Sequence, residues 1–165
     1  MLTFERANEL FRYDPISGKL FWKHPISNRT RAGDEAGTVV RQDGYKIIRL
    51  RGKQIFVHRI IALLVFGELP EKAQVDHINH TRTDNRPINL RIVAHSENTK
   101  NQSKQINNAS GVCGVYLDKQ TKRYKAQIGS RESRCFLGSF KTLEEATAAR
   151  LEAERKYGYH ENHGM

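Results

Sequence analysis

Two rhythms of apolar and polar positions run along the chain. Leu2, Ala7, Leu10 and Phe11 fall near helical spacing, which predicts a helix over 3–13. DPISG, residues 14–18, ends it with turn chemistry, and KLFW, residues 19–22, predicts a strand. Residues 23–36 are polar and glycine-containing and read as loop. GTVV and YKIIRL are short β segments flanking RQDG, where Asp43 and Gly44 mark a hairpin. After the turn RGKQ, residues 55–57 predict another strand, and HRIIALLVFG a helix stopped by Gly67 with Pro70 beyond. AQVDHI and NLRIVA predict two strands separated by a polar loop, 79–88. SENTKNQSK predicts a short helix starting near His95 or Ser96. Together these make a β-loop-β-α unit of roughly thirty residues, the size of one supersecondary motif.

The last third follows a different grammar. KQINNAS, 104–110, is polar and small and reads as a linker. GVCGVYL, RYKAQI and RCFLGSF predict three strands joined by the turns DKQTK and GSRES. Residues 142–158 form the strongest helical pattern, with Thr142 and Glu145 as a capping box. Leu143, Ala146, Ala149, Ala153 and Tyr157 make its apolar face. On the middle strand, alternation sends Tyr124, Ala126 and Ile128 toward that helix and Arg123, Lys125 and Gln127 outward. On the last strand it sends Cys135 and Leu137 inward, with Arg134 and Phe136 outward. The pattern therefore predicts an α+β chain with two modules, 1–103 and 111–160, the first divided into a lead-in, 1–54, and a core, 73–103.

Charge narrows the class of partner. The 165 residues carry 28 Lys and Arg against 18 Asp and Glu, a formal net charge of +10. Such an excess favours a polyanion, nucleic acid before a membrane surface. No apolar run reaches the length of a membrane span, and the N-terminus lacks a signal-peptide pattern, so a cytoplasmic protein is expected. Cys113 and Cys135 have neither disulfide-framework nor zinc-knuckle spacing.

The polar stretch VDHINHTRTDNRPINLRIVAHSENTKN, 75–101, concentrates Asp, His and Asn between apolar segments. Its order is strand, Asp-His, loop, Asn-Leu, strand, then helix with Glu-Asn. This order resembles the HNH endonucleases, and among them the phage and homing type in which asparagine replaces the last histidine. The matching residues are Asp76, His77, Asn89 and Asn98, and the likeness covers about 55–103. The segments from YDPISGKLFWK to HRIIALLVFG also resemble the lead-in of phage HNH proteins. The resemblance implies a ββα-metal nuclease core, with the N-terminal hairpins before it. His77 would accept a proton from water, since imidazole titrates near neutrality. Asp76 and Asn98 would hold a metal, and such hard oxygen donors suit Mg2+ or Mn2+, with no structural zinc expected. Asn89 would hold His77 in its working orientation, and its amide could bridge backbone groups across the loop. In a regular strand Asp76 and His77 point to opposite faces, so one shared site needs a twisted or open strand end.

The sequence departs from the family pattern in three places. His80-Thr81 stands where a glycine-acid pair is common, Ala94 where Thr or Ser often opens the helix, and paired zinc cysteines are missing. The other polar residues have plainer readings. His58 reads as a core or capping histidine, His80 as a solvated loop residue, Asn85 as a turn residue, and His160 with His163 as part of a frayed tail. Arg82, Arg86 and Arg91 read equally as phosphate contacts and as solvated charges.

Residues 109–158, with GVCGVY, YKAQI, LGSF and TLEEA, resemble the plant ethylene-response-factor (Apetala-two) type of DNA-binding domain. That likeness implies a three-stranded antiparallel sheet lying on DNA with one helix behind it. Arg123, Lys125, Arg134 and Phe136 would then face the DNA. The combined expectation is a phage-type, metal-dependent endonuclease that nicks double-stranded DNA as a monomer in the host cytoplasm. The rival expectation is a non-catalytic DNA-binding regulator on the same scaffold.

Overall fold

The computed structural model describes residues 2–25, 27–40, 43–102, 104, 108–129 and 133–165. The expected linker, 104–110, and the turns at 41–44 and 129–133 lie partly outside the described residues. Two compact units divide the chain, Met1–His95 and Ser96–Met165.

The first unit begins with helix α1, Phe4–Leu10, capped by the Thr3 hydroxyl accepting from the Arg6 N–H. The helix stops at Leu10, earlier than its periodicity predicts. Phe11–Asp14 is instead strand β1, paired antiparallel with β2, Lys19–Trp22. Tertiary pairing overrides local spacing here. Phe11 sits opposite Trp22 in the ladder, their rings 4.6 Å apart, and both are buried. β3, Thr38–Val39, β4, Lys46–Leu50, and β5, Lys53–Phe56, form an antiparallel sheet in that order. Helix α2, Val57–Phe66, follows directly. It buries Val57, His58, Ile60, Ile61, Ala62 and Leu63, and touches α1, β4, β5 and the hairpin that follows. That central position explains why its sequence is apolar almost all round. Its side chains join Ala7, Leu10, Phe11, Leu20, Trp22, Ile48, Val75 and Leu90 in one core. Burying each large member contributes about 1.5–3 kcal/mol.

Strands β6, Gln74–His77, and β7, Leu90–Val93, pair antiparallel around the polar loop. Helix α3, His95–Asn98, follows as a single turn and tightens into a 3-10 turn over Thr99–Asn101. It is shorter than SENTKNQSK predicts. Ser, Asn and Thr compete for backbone hydrogen bonds, and no apolar stripe anchors a longer helix.

In the second unit β8, Val115–Asp118, β9, Arg123–Ile128, and β10, Cys135–Phe140, form an antiparallel sheet with β9 central. Helix α4, Leu143–Lys156, packs on it, and the Thr142–Glu145 capping box is present. Ala126, Ala146 and Val115 are buried between sheet and helix, with Tyr124, Leu137, Phe140 and Leu143 around them. Cys135 departs from its predicted inward place. It opens β10 opposite Ile128 yet is exposed, whereas Leu137, within the bulge between Phe136 and Gly138, packs against the core. The helix face is also not wholly apolar, because Arg150 is buried at 4% exposure between Ala146 and Ala153. Its guanidinium donates to the Gln127 carbonyl (2.5 Å) and Glu154 (2.8 Å) and contacts His163 Nε2 (3.2 Å).

The C-terminal tail, expected to be frayed, is folded and touches that arginine through His163. The His163 side chain is only 7% exposed and stands edge-on to Tyr159. His160 N–H donates to the Lys100 carbonyl, and Gly164 N–H to the Gln102 carbonyl. Gly114 lets the sheet close on the arginine. Its φ is +73°, and a Cβ there would meet the Gln127 carbonyl oxygen and lie 2.8 Å from Arg150 Nη1. Gly114→Ala is therefore expected to destabilise this unit by about 2–4 kcal/mol, read as a lowered urea midpoint with unchanged m-value.

Candidate active site

The loop between β6 and β7 is closed by side chains of its own ends. Asn89 is buried at 4% exposure. Its Oδ1 accepts from the Asn79 N–H (2.9 Å) and its Nδ2 donates to the Asp84 carbonyl (2.7 Å). The expected bridging by this amide is thus present in the geometry. Asp84 in turn accepts two bonds from Arg86, both 2.7 Å, and one from Asn79 Nδ2. The Arg86 guanidinium, with these other bonds, holds the Asp84 carboxyl down at a pKa of about 2. His80 adopts φ +60°, the left-handed conformation for which the family pattern's glycine is suited.

His77 ends β6 at 3% exposure. Its Nε2 lies 2.9 Å from Asn85 Oδ1, so the side chain holding the ring here is Asn85, where Asn89 was expected. Asn85, expected only as a turn residue in TDNRP, is 1% exposed and a buried partner of the ring. His58, at the start of α2, packs edge-on to the His77 ring at 5.1 Å. Tyr45 reaches both rings, at 5.0 Å from His58 and 5.8 Å from His77. The exposed Arg82 guanidinium lies 4.9 Å from the Tyr45 ring centre and donates to the Asp43 carbonyl. Local sequence carried no signal for this cluster, because its members come from three separated segments.

Burial pushes the His77 pKa down. The bond to Asn85 and the carboxylates of Asp76 and Asp84 oppose that shift, while Arg82 adds to it. Burial, with smaller contributions from His77 and Arg59, pushes His58 down to about 3. Both imidazoles are therefore neutral at neutral pH, and a neutral ring can take up a proton.

Asp76 lies on the other face of the ladder, which stays in register through His77 opposite Leu90. Arg91, its ladder partner, donates to Asp76 Oδ2 from Nε (3.0 Å) and Nη2 (2.8 Å). Asp76 belongs to the first unit and the half-buried Asn98, closing α3, to the second. No three His, Cys, Asp or Glu side chains converge as a metal site among the described residues. Asp76 and Asn98 each offer a hard oxygen donor of the kind a divalent cation takes. Within the second unit, Lys125 pairs with Asp118, and Arg123 donates to the Ser139 hydroxyl and carbonyl. Arg134 is exposed, and so are Phe136 (59%) and Tyr116 (44%).

Residues 56–100 match a family model described as HNH endonuclease. A stretch of 66 residues is 32% identical to an uncharacterized HNH endonuclease of Acanthamoeba polyphaga mimivirus, covering 40% of this chain and 35% of that protein. The chain thus spans about a third of that relative's length. No solved structure matches. His58, Asp76, His77, Asn85, Asn89 and Asn98 all lie inside the matched residues, whereas Tyr45 lies outside.

The buried histidine sets an acid limit on stability. His58 takes up a proton in the unfolded chain near its ordinary value of 6.5 but in the fold only near 3. The unfolded state therefore binds more protons between these values, and stability falls as pH falls. The expected loss approaches about 1.4 kcal/mol per pH unit below 6.5. Denaturant unfolding at pH 7 and pH 5 checks this, and His58→Gln should show the smaller acid loss.

Proposed function

We propose that the chain is a metal-dependent DNA endonuclease of the HNH type that nicks double-stranded DNA. The observation that carries this reading is a buried, neutral His77 at the end of β6, held by Asn85 within residues that match the HNH model. His77 is the base. With Nε2 facing an amide oxygen, its proton sits on Nε2 and its lone pair on Nδ1, which takes the proton from the attacking water. Asn89 contributes by holding the loop closed on itself.

Asp76 and Asn98 would hold Mg2+ or Mn2+. The chemistry a bound divalent cation would supply there is to shield charge on the phosphate and stabilise the leaving oxygen. Arg91, now paired to Asp76 Oδ2, must share or release that oxygen. His77 is nearly closed off, so water reaches it only when its cover opens. Arg82 lies on that cover, exposed and bonded to the Asp43 carbonyl, where a phosphate oxygen can replace the carbonyl. Arg86 and Arg91 reach DNA with their charge already partly matched by Asp84 and Asp76.

The second unit fits a DNA-positioning module of the ethylene-response-factor type. Its sheet carries Arg123, Lys125, Phe136 and Tyr116 away from α4, with exposed Arg134 just before β10, though Asp118 tempers the charge of Lys125. One site per chain cuts one strand, so a monomer nicks. The phage and homing character, and a place in the host cytoplasm, belong to the same proposal. The Arg91–Asp76 pair and the covered His77 favour a second reading, a DNA-binding regulator that does not cut.

Supercoiled plasmid separates the two. Conversion to open circle is expected with Mg2+ and not with EDTA, and His77→Ala should lower the rate at least about a hundred-fold. Folded protein that shifts DNA in a gel yet cuts nothing with Mg2+ or Mn2+ would establish the regulator. DNA affinity should fall steeply with salt, since Lys and Arg supply it.

A further inference from the structure

We propose that Asn85 is a positioning residue that fixes the tautomer and ring orientation of His77, and that the N-terminal β1–β2 hairpin holds Asn85 in place for it. The catalytic consequence rests on the nuclease reading above, but the hydrogen-bond chain does not.

Asn85 is held at three points. Its side-chain Oδ1 meets His77 Nε2 at 2.9 Å. An amide oxygen only accepts, so this contact selects the tautomer protonated at Nε2. Its main-chain carbonyl accepts from the Tyr13 hydroxyl at 2.8 Å, across 72 positions of sequence. Burial pushes the Tyr13 pKa up to about 12, so that hydroxyl keeps its proton and remains a donor at any working pH. The peptide that follows Asn85 is fixed by Gly18, in the turn between β1 and β2. A Cβ there would stand 2.8 Å from Arg86 N and 3.0 Å from Asn85 C, so the turn lies directly on the loop backbone.

This arrangement differs from that of Asn89. Asn89 bridges backbone groups and shapes the loop. Asn85 acts on the reacting ring itself. Rotation of the imidazole would break a buried hydrogen bond and turn the wrong nitrogen toward the water, a cost in rate rather than in DNA affinity.

Three variants of the full chain test this at about pH 8. Asn85→Leu keeps the size and removes the acceptor. Asn85→Asp keeps an acceptor oxygen. Tyr13→Phe removes the brace without touching His77. Asn85→Leu should lower kcat for nicking by about 10–100-fold, with KM and DNA affinity within about two-fold of the parent. Asn85→Asp should stay within about five-fold of the parent, and Tyr13→Phe should fall between the two. Nitrogen-15 NMR of the histidine rings supplies a readout independent of cutting. In the parent, His77 should carry its proton on Nε2, and in Asn85→Leu a mixture of tautomers should replace it. An Nδ1-protonated His77 in the parent overturns the inference, whether or not the protein cuts DNA. Equal losses in the Asp and Leu variants, or a loss in KM alone, overturn it too. If Asn85→Leu does not fold, the parent spectrum and the other two variants decide. A parent that cuts nothing but shows the Nε2 tautomer defeats the nuclease reading and leaves the hydrogen-bond chain standing.

Discussion

The loop between β6 and β7 has almost nothing to bury. Of its two large apolar side chains, Ile88 is 82% exposed and Ile78 only half-buried, and the remaining residues are mostly polar or charged. Hydrophobic packing cannot set its shape, so directional bonds have to. Asn89 supplies them from a single buried amide, joining the start of the loop at Asn79 to its middle at Asp84. Such a bond contributes only about 1 kcal/mol net, but leaving the buried amide unsatisfied costs about 1–3 kcal/mol. Two further bonds work beside this closure: the Tyr13 hydroxyl holds the Asn85 carbonyl, and Arg86 holds Asp84.

The apolar core does a different job for the same site. Helix α2 presents His58 among residues that are otherwise hydrophobic, and the His77 ring comes to rest against it. Two imidazoles packed against each other and largely removed from water cannot both be charged without large cost. The core therefore keeps them neutral, which is the state a proton acceptor needs. Stability and chemistry are coupled here through one buried contact.

Much of the fold was legible in the sequence because its signals are local. The capping box at Thr142 and Glu145, the strand alternation of β9 and the apolar run of α2 each follow from a period or a residue type. What failed to show was long-range. Phe11 belongs to a strand because Trp22 lies opposite it, and nothing near Phe11 says so. Arg150 drew no notice in the sequence, because the Gln127 carbonyl, Glu154 and His163 that surround it come together only in the fold. At the site, Asp76, His77, Asn89 and Asn98 stood out as a spaced motif. Asn85, Tyr45 and Tyr13 did not, because their meaning lies in partners 8, 32 and 72 positions away, from His77 Nε2 to the Tyr13 hydroxyl.

The pairing of Asp76 with Arg91 constrains how the site can work. On adjacent strands, opposite charges in register attract and steady the ladder. An aspartate held by an arginine is also poorly placed to bind a cation tightly, because a metal at Oδ2 meets the guanidinium's charge at close range. Phosphate changes that balance. Its negative charge would attract the guanidinium and the cation alike, so on the proposed reading Arg91 would turn from Asp76 toward DNA when a metal binds. On the proposed nuclease reading, such a site would bind metal and DNA better together than either alone. The same arginine that makes the resting site look closed would then couple metal loading to the presence of substrate.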